Sequence, residues 1–321
     1  GSEDVAALTA RTEGWIAGLQ LAALSMQGQQ DLSGFVANLT GSHEYIADYL
    51  GDEVLGRQSE KVRTFLLHTS ILERLTAPLC NALTGRTDGR ETLLALERGN
   101  LFLDSLDASR QWYRYHRLFV ELLRHRLDTE HGDRVTALHR QASRWYAENG
   151  YPADAVRHAL DAGDWASAAD LLDQITSDLL NQGQVTTLLG WYRALPETVV
   201  RSRPQLCYQY SWLLILTEQI ESALEYLAMA ESAAQGDAAF MGQIAVSRAH
   251  IARLRGDGRA VVELSQKALS LLAEEDLTSR AVAALNVGIA NWYRGRLDQA
   301  EHALDEARHA AARSGNDYVH A

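Results

Sequence analysis

The stretch Trp112-Tyr113-Arg114-Tyr115-His116-Arg117-Leu118-Phe119-Val120-Glu121-Leu122-Leu123-Arg124-His125-Arg126-Leu127 changes its period in the middle. Trp112 and Arg114 belong to a short extended run rich in aromatic side chains, and Leu101 and Leu103 belong to another. The segment Asp107-Ala108-Ser109-Arg110 between the two runs carries turn residues, so the pair reads as a β-hairpin. From Arg117 onward Leu118, Leu122 and Leu127 fall on one side of a helix.

Upstream, Val62, Phe65, Leu66 and Leu72 mark an apolar face that ends before the break at Thr76-Ala77-Pro78. A short helix from Leu79 to Leu83 stops at Gly85, and a third from Gly89 to Arg98 stops at Gly99-Asn100. Three helices, a hairpin and a further helix make a winged-helix arrangement over residues 53–133. Residues 1–52 read as a helical segment, with stripes at Trp15, Leu19, Ala22 and Met26 and at Phe35, Leu39, Ile46 and Leu50.

Downstream, residues 134–321 read as helical hairpins that repeat. A turn residue is followed five positions later by a small one at Gly163 and Ala168, Glu218 and Ala223, Gly256 and Val261, and Gly295 and Ala300. The small residue suits the close crossing of two helices in a tetratricopeptide-type pair. Leu285, Ile289 and Trp292 are expected on one buried stripe, and Leu297, Ala300, Leu304 and Ala307 on the next. The fold class is therefore mainly α: a helical segment, a winged-helix domain with one small β-hairpin, and a tetratricopeptide-like α-solenoid.

Composition agrees. Alanine and leucine dominate, and only four prolines, Pro78, Pro152, Pro196 and Pro204, interrupt 321 residues. The net charge of −12 disfavours phosphate backbones as partners of the chain as a whole. No apolar run approaches the ~20 residues that span a bilayer. Cys80 and Cys207 lie in apolar helical windows, as buried thiols in a reducing compartment would, and a cytoplasmic location is expected.

Neither Lys61 nor Lys267 follows a glycine, so the sequence holds no phosphate-binding P-loop. No nucleophile elbow, zinc-protease motif, paired-cysteine motif or dinucleotide fingerprint is present either. No catalytic residue and no metal ligand set is expected. His116, at the start of a helix, stands where free N–H groups and the positive end of the helix could meet a phosphate oxygen. It could equally pack against the hairpin. Arg110, Arg114, Arg117, Arg124 and Arg126 could grip DNA phosphates, or form a salt-bridged face with the acids Asp104, Asp107, Glu121 and Asp128 that interleave with them. The aromatics Trp191, Tyr192, Tyr208, Tyr210, Trp212, Tyr226, Trp292 and Tyr293 fill helix seams for the most part, and the rest could line a ligand groove.

The stretches RTEGWIAGLQLAALS (11–25), YLGDEVLGRQSEKVRTFLLHTSILERLTAPLCNALTG (49–85), LERGNLFLDSLD (96–107), WYRYHRLFVELLRHRL (112–127) and LHRQASRWYAENGYPADAVRHALDAGDWASAADLL (138–172) occur in that order. Together they resemble the large ATP-binding LuxR-type transcription regulators, the MalT-like members of the STAND class of signal-transduction ATPases. The resemblance covers residues 5–175 closely and the remainder only in its repeat character. It implies a parent with an N-terminal P-loop ATPase module that holds ADP or ATP with Mg²⁺. It also implies a winged helix, a tetratricopeptide-like sensor and a C-terminal DNA-binding domain. Gly1-Ser2 in place of an initiator Met is expected of an excised chain whose repeats continue past residue 321.

On that resemblance His116 corresponds to the winged-helix histidine that contacts the β-phosphate of ADP. The implied partners are the chain's own ATPase module in cis and an inducer or inhibitory protein at the repeats. DNA would be met only through the C-terminal domain, and no membrane is implied. A tetratricopeptide scaffold without a nucleotide switch is the alternative.

Overall fold

The computed structural model describes residues 2–15, 19, 22, 34, 44–234 and 236–314. Met26, Phe35 and Leu39 of the expected N-terminal stripes lie outside them. The chain divides into two compact units, residues 1–163 and 164–321.

The first unit opens with α1 (Ser2–Thr12) and resumes at α2 (Glu44–Asp48), which runs into a π-helical turn over Tyr49–Leu55. Next come α3 (Glu60–Thr69), α4 (Ala77–Thr84) and α5 (Gly89–Arg98). Side-chain oxygens set the first two of these starts: Ser59 accepts from the Val62 N–H and Thr76 from the Leu79 N–H. Gly85 ends α4 in the left-handed conformation at φ 67°.

The hairpin follows, with β1 (Leu103–Ser105) antiparallel to β2 (Tyr113–Tyr115) and Arg114 opposite Asp104. The strands are shorter than expected. Leu101 and Trp112 stay outside them, because Asp107 turns the chain back by accepting from the backbone N–H groups of Gln111 and Trp112. A bridge between Leu75 and Tyr113 ties the hairpin to the helices. Phe65, Leu66, Leu72, Leu79, Leu93, Phe119, Leu122 and Leu123 form the buried core.

The winged helix leads into α6 (Arg117–Glu148), a 32-residue rod kinked at His131, and α7 (Pro152–Asp161) folds back on it. The hairpin formed by α6 and α7 therefore belongs to the first compact unit, and the division falls at 163/164.

The second unit is a row of helices: α8 (Trp165–Asn181), α9 (Val185–Ala194), α10 (Glu197–Arg201), α11 (Pro204–Leu216), α12 (Ile220–Ala233), α13 (Ala238–Leu254), α14 (Gly258–Leu271), α15 (Leu277–Tyr293) and α16 (Leu297–Ser314). The repeat pattern predicts its turns. Gly163, Glu218, Gly256 and Gly295 all have positive φ, and Ala168, Ala223, Val261 and Ala300 are all buried. The longer interval between Gly163 and Glu218 contains another such turn. Gly183 has φ 72°, and the buried Leu188 follows five residues later. A leucine at the crossing concealed it from a search for small residues.

The expected stripes on the last two helices hold at Ala300 and Ala307, which are buried, and are corrected at Trp292 and Leu297. Trp292 is 59% and Leu297 63% exposed, whereas Ala281, Ala284, Gly288 and Asn291 of α15 and Ala300, Ala303, Ala307 and Ala311 of α16 are buried. The helices approach so closely that a Cβ on Gly288 would stand 2.7 Å from the Leu304 side chain. Small residues make most of that seam, the Leu304 side chain packs onto Gly288, and Trp292 and Leu297 are left at its margins.

Candidate functional sites

The first site is built at the N-terminus of α6. His116 is its N-cap, and its backbone N–H donates to the Phe102 carbonyl at 2.8 Å. The first-turn N–H of Arg117 donates to a carboxylate oxygen of Glu13 at 3.3 Å. The same Glu13 accepts from Arg114 Nη1 at 2.7 Å, and its Oε2 lies 3.3 Å from His116 Nε2. Glu13 itself sits in the left-handed region at φ 48°, ahead of Gly14 at φ 76°, so a tight turn after α1 delivers it.

Burial pushes the Glu13 carboxyl up. The Arg114 and Arg117 hydrogen bonds and the His116 and Arg114 charges outweigh it and hold the carboxyl below its usual value. Nδ1 of His116 is buried without a partner. Phe102 packs edge-on against the His116 ring at 6.0 Å. The corner is thus a ready anion site, with a helix N-terminus, an arginine and an imidazole converging on one carboxylate.

The structure gives the five arginines protein partners. Arg110 pairs with Glu97, Arg114 with Glu13 and Asp104, Arg117 with Glu121, and Arg126 with Glu130. Arg124 donates to the Ser70 carbonyl. Four of the five are thus ion-paired, two of them with the expected acids Asp104 and Glu121, and do not form a free cationic wing.

The second site is a groove of about 240 Å³ within the second unit, among α8, α11, α13 and α15. Tyr208 and Trp212 give it aromatic faces, and Asn181, Gln205, Gln209 and Gln243 give it amides. Asp276 is the sole charged residue in its lining. The polar groups are braced. Trp212 Nε1 donates to the Tyr208 hydroxyl at 2.9 Å, and Gln243 donates to Asp276, whose other oxygen caps α15 through the Ser279 N–H. Gln209 accepts from the Tyr192 hydroxyl at 2.6 Å and donates to Asp173. Aromatic faces beside fixed amides, with no lysine, arginine or histidine in the lining, suit a small uncharged or cationic ligand and disfavour phosphates.

The sequence left open which aromatics line a groove; Tyr208 and Trp212 do. Sequence reading also missed a cluster, His139 with His158 and Asp161, whose ligand-type atoms lie within 4.8 Å of one another. His139 comes from a different helix, so no local spacing announces it. Among the described residues no helix is long and apolar enough to cross a membrane.

Comparison with known proteins adds to this geometry. Residues 51–135 match the MalT winged helix domain model. The chain is 39% identical over 264 residues to the serine/threonine-protein kinase PknK of Mycobacterium tuberculosis, a match covering 81% of this chain and 23% of that protein. It is 32% identical over 319 residues to the HTH-type transcriptional regulator MalT of Yersinia enterocolitica, covering 97% of this chain and 35% of that one. The chain thus spans about a quarter to a third of the length of these relatives. Among solved structures, a STAND protein with a tetratricopeptide repeat sensor from Pyrococcus horikoshii superimposes with a TM-score of 0.55 at 12% identity, covering 93% of this chain and 54% of that one.

Proposed function

Residues 51–135 of this chain are a MalT-type winged-helix domain, and from that premise we propose that the chain is the regulatory and sensor region of a MalT-like transcription regulator. It acts as a switch element and not as an enzyme. The groove beside Trp212 takes an inducer or a segment of an inhibitory protein. The winged helix couples that event to the ADP or ATP state of a P-loop module in cis, and DNA is contacted through a separate domain. The observation that carries the reading is the His116 corner. A helix N-terminus, Arg114 and Nε2 of His116 already hold an anion there. These groups fit a nucleotide phosphate, which would supply the charge that Glu13 now supplies.

In such a switch His116 favours the ADP-bound state, and a ligand at the groove shifts the balance by its differential affinity for the two states. The test is ADP retention by the full-length parent. His116→Ala should release ADP faster and give inducer-independent activity; unchanged retention refutes the coupling. For the groove, thermal unfolding of this chain against a metabolite panel should show a rise with neutral or cationic ligands that Trp212→Ala removes. A panel whose only hits are phosphorylated compounds refutes that assignment.

A second reading has the 39% identity to a serine/threonine-protein kinase behind it. There the same region would regulate a kinase. The sequence flanking the chain decides: a kinase domain favours it, and a DNA-binding helix-turn-helix favours the first.

A further inference from the structure

We propose that His139, His158 and Asp161 form a binding site for one divalent ion of the zinc class, clamping α6 to α7. His158 and Asp161 are three residues apart on α7 and so share a face, and His139 meets them from α6. The two Nδ1 atoms lie 3.0 Å apart, and Asp161 Oδ2 lies 3.6 Å from His139 Nδ1. Ligands held ~2.0–2.1 Å from a tetrahedral ion stand roughly 3.3 Å from one another, so these separations bracket what a zinc ion needs.

The site is preorganised on one side and open on the other. His158 is 1% exposed, and its ring stacks on Tyr146 with centroids 5.4 Å apart. Its Nε2 has no partner, so no hydrogen bond there sets its tautomer and Nδ1 can carry the lone pair. Asp161 is half-exposed at the rim of a cavity of about 350 Å³, which gives an entry path and room for a water as fourth ligand.

The electrostatics permit a cation. Arg124 and Arg157 border the cavity, but so do Glu73, Asp128 and Asp161. Arg157 is engaged by Glu73 and Asp154, and Arg124 by the Ser70 carbonyl. Two imidazoles and one carboxylate suit zinc, cobalt or nickel and not calcium or magnesium, which take oxygen ligands.

The same 3.0 Å contact without an ion is an N–H···N hydrogen bond, and metal titration separates the two. Tag-free protein stripped with a chelator is titrated calorimetrically with Zn²⁺, and spectroscopically with Co²⁺. We expect one ion per chain, visible bands of a tetrahedral cobalt site, and a higher unfolding temperature with zinc. Asp161→Asn, a change at the rim, should weaken binding at least about tenfold, and His139→Gln should abolish it, with circular dichroism unchanged in both. Absence of one-to-one uptake by the parent chain overturns the proposal. So does uptake that both variants keep, since other histidines would then hold the ion.

Discussion

Oε2 of Glu13 lies 3.3 Å from Nε2 of His116, across 103 residues of sequence, and the same oxygen caps the first turn of α6. A carboxylate at a helix N-terminus is stabilised by the unpaired N–H groups and the helix dipole. Glu13→Gln keeps an acceptor but removes the charge. Amides in the first turn of α6 should then exchange about two- to fivefold faster, corresponding to roughly 0.3–1 kcal/mol. Unaltered exchange there would show that Glu13 does not hold the helix.

The seam between α15 and α16 gives a paired prediction. Gly288→Ala would place a Cβ 2.7 Å from the Leu304 side chain and 3.3 Å from its backbone nitrogen, so the helices must shift. The cost should be about 1–3 kcal/mol in denaturant unfolding. Gly190, in α9, has nothing within 4 Å of the same added atom. Gly190→Ala should stabilise by about 0.5–1 kcal/mol, through helix propensity alone. Equal effects of the two would contradict the close approach.

Much of the architecture was legible for a reason these two positions show. Turns carry local signals, because a left-handed residue such as Gly163 or Gly256 followed by a capping aspartate, Asp164 or Asp257, needs no distant information. Side-chain size misled where distance mattered. Trp292 and Leu297 looked like core, yet alanines and Gly288 make most of the seam, since the packing distance between two helices is a property of both. His116 was visible because it sits at a helix start. Its partner Glu13 was not, because only the folded chain brings them together. The same holds for His139 and His158, which belong to different helices.

Acid should destabilise both units through buried histidines. Burial pushes His158 down to about 3 and His250 down to about 4. Above the unfolded value of ~6.5 neither state binds the proton. Below it the unfolded chain does and the folded chain does not, so stability falls as pH falls, by up to about 1.4 kcal/mol per pH unit for each histidine. The unfolding temperature, measured with a chelator present, should drop between pH 7 and pH 5. A constant value over that range would contradict the burial of both rings.

Tyr192→Phe tests the bracing of the groove. It removes the hydroxyl that donates to Gln209 at 2.6 Å and leaves that buried amide oxygen without its donor. A loss of about 1–3 kcal/mol is expected, together with weaker binding of any ligand the groove takes. A stability loss with affinity intact would place Gln209 outside the recognition surface.

The kink of α6 at His131 divides that helix into two arms. One arm begins at His116 and carries the anion-holding corner; the other carries His139 and is strapped to α7. At ~1.5 Å per residue each arm is roughly 20–25 Å long. A tilt of a few degrees imposed at the corner becomes a displacement of an ångström or more at the joint. A single joint between stiff arms lets the first arm swing while the second holds its place, or carry the second with it, according to how firmly the joint is locked. In the proposed switch, His131, remote from both ends, would therefore set how much of a tilt in one arm reaches the other.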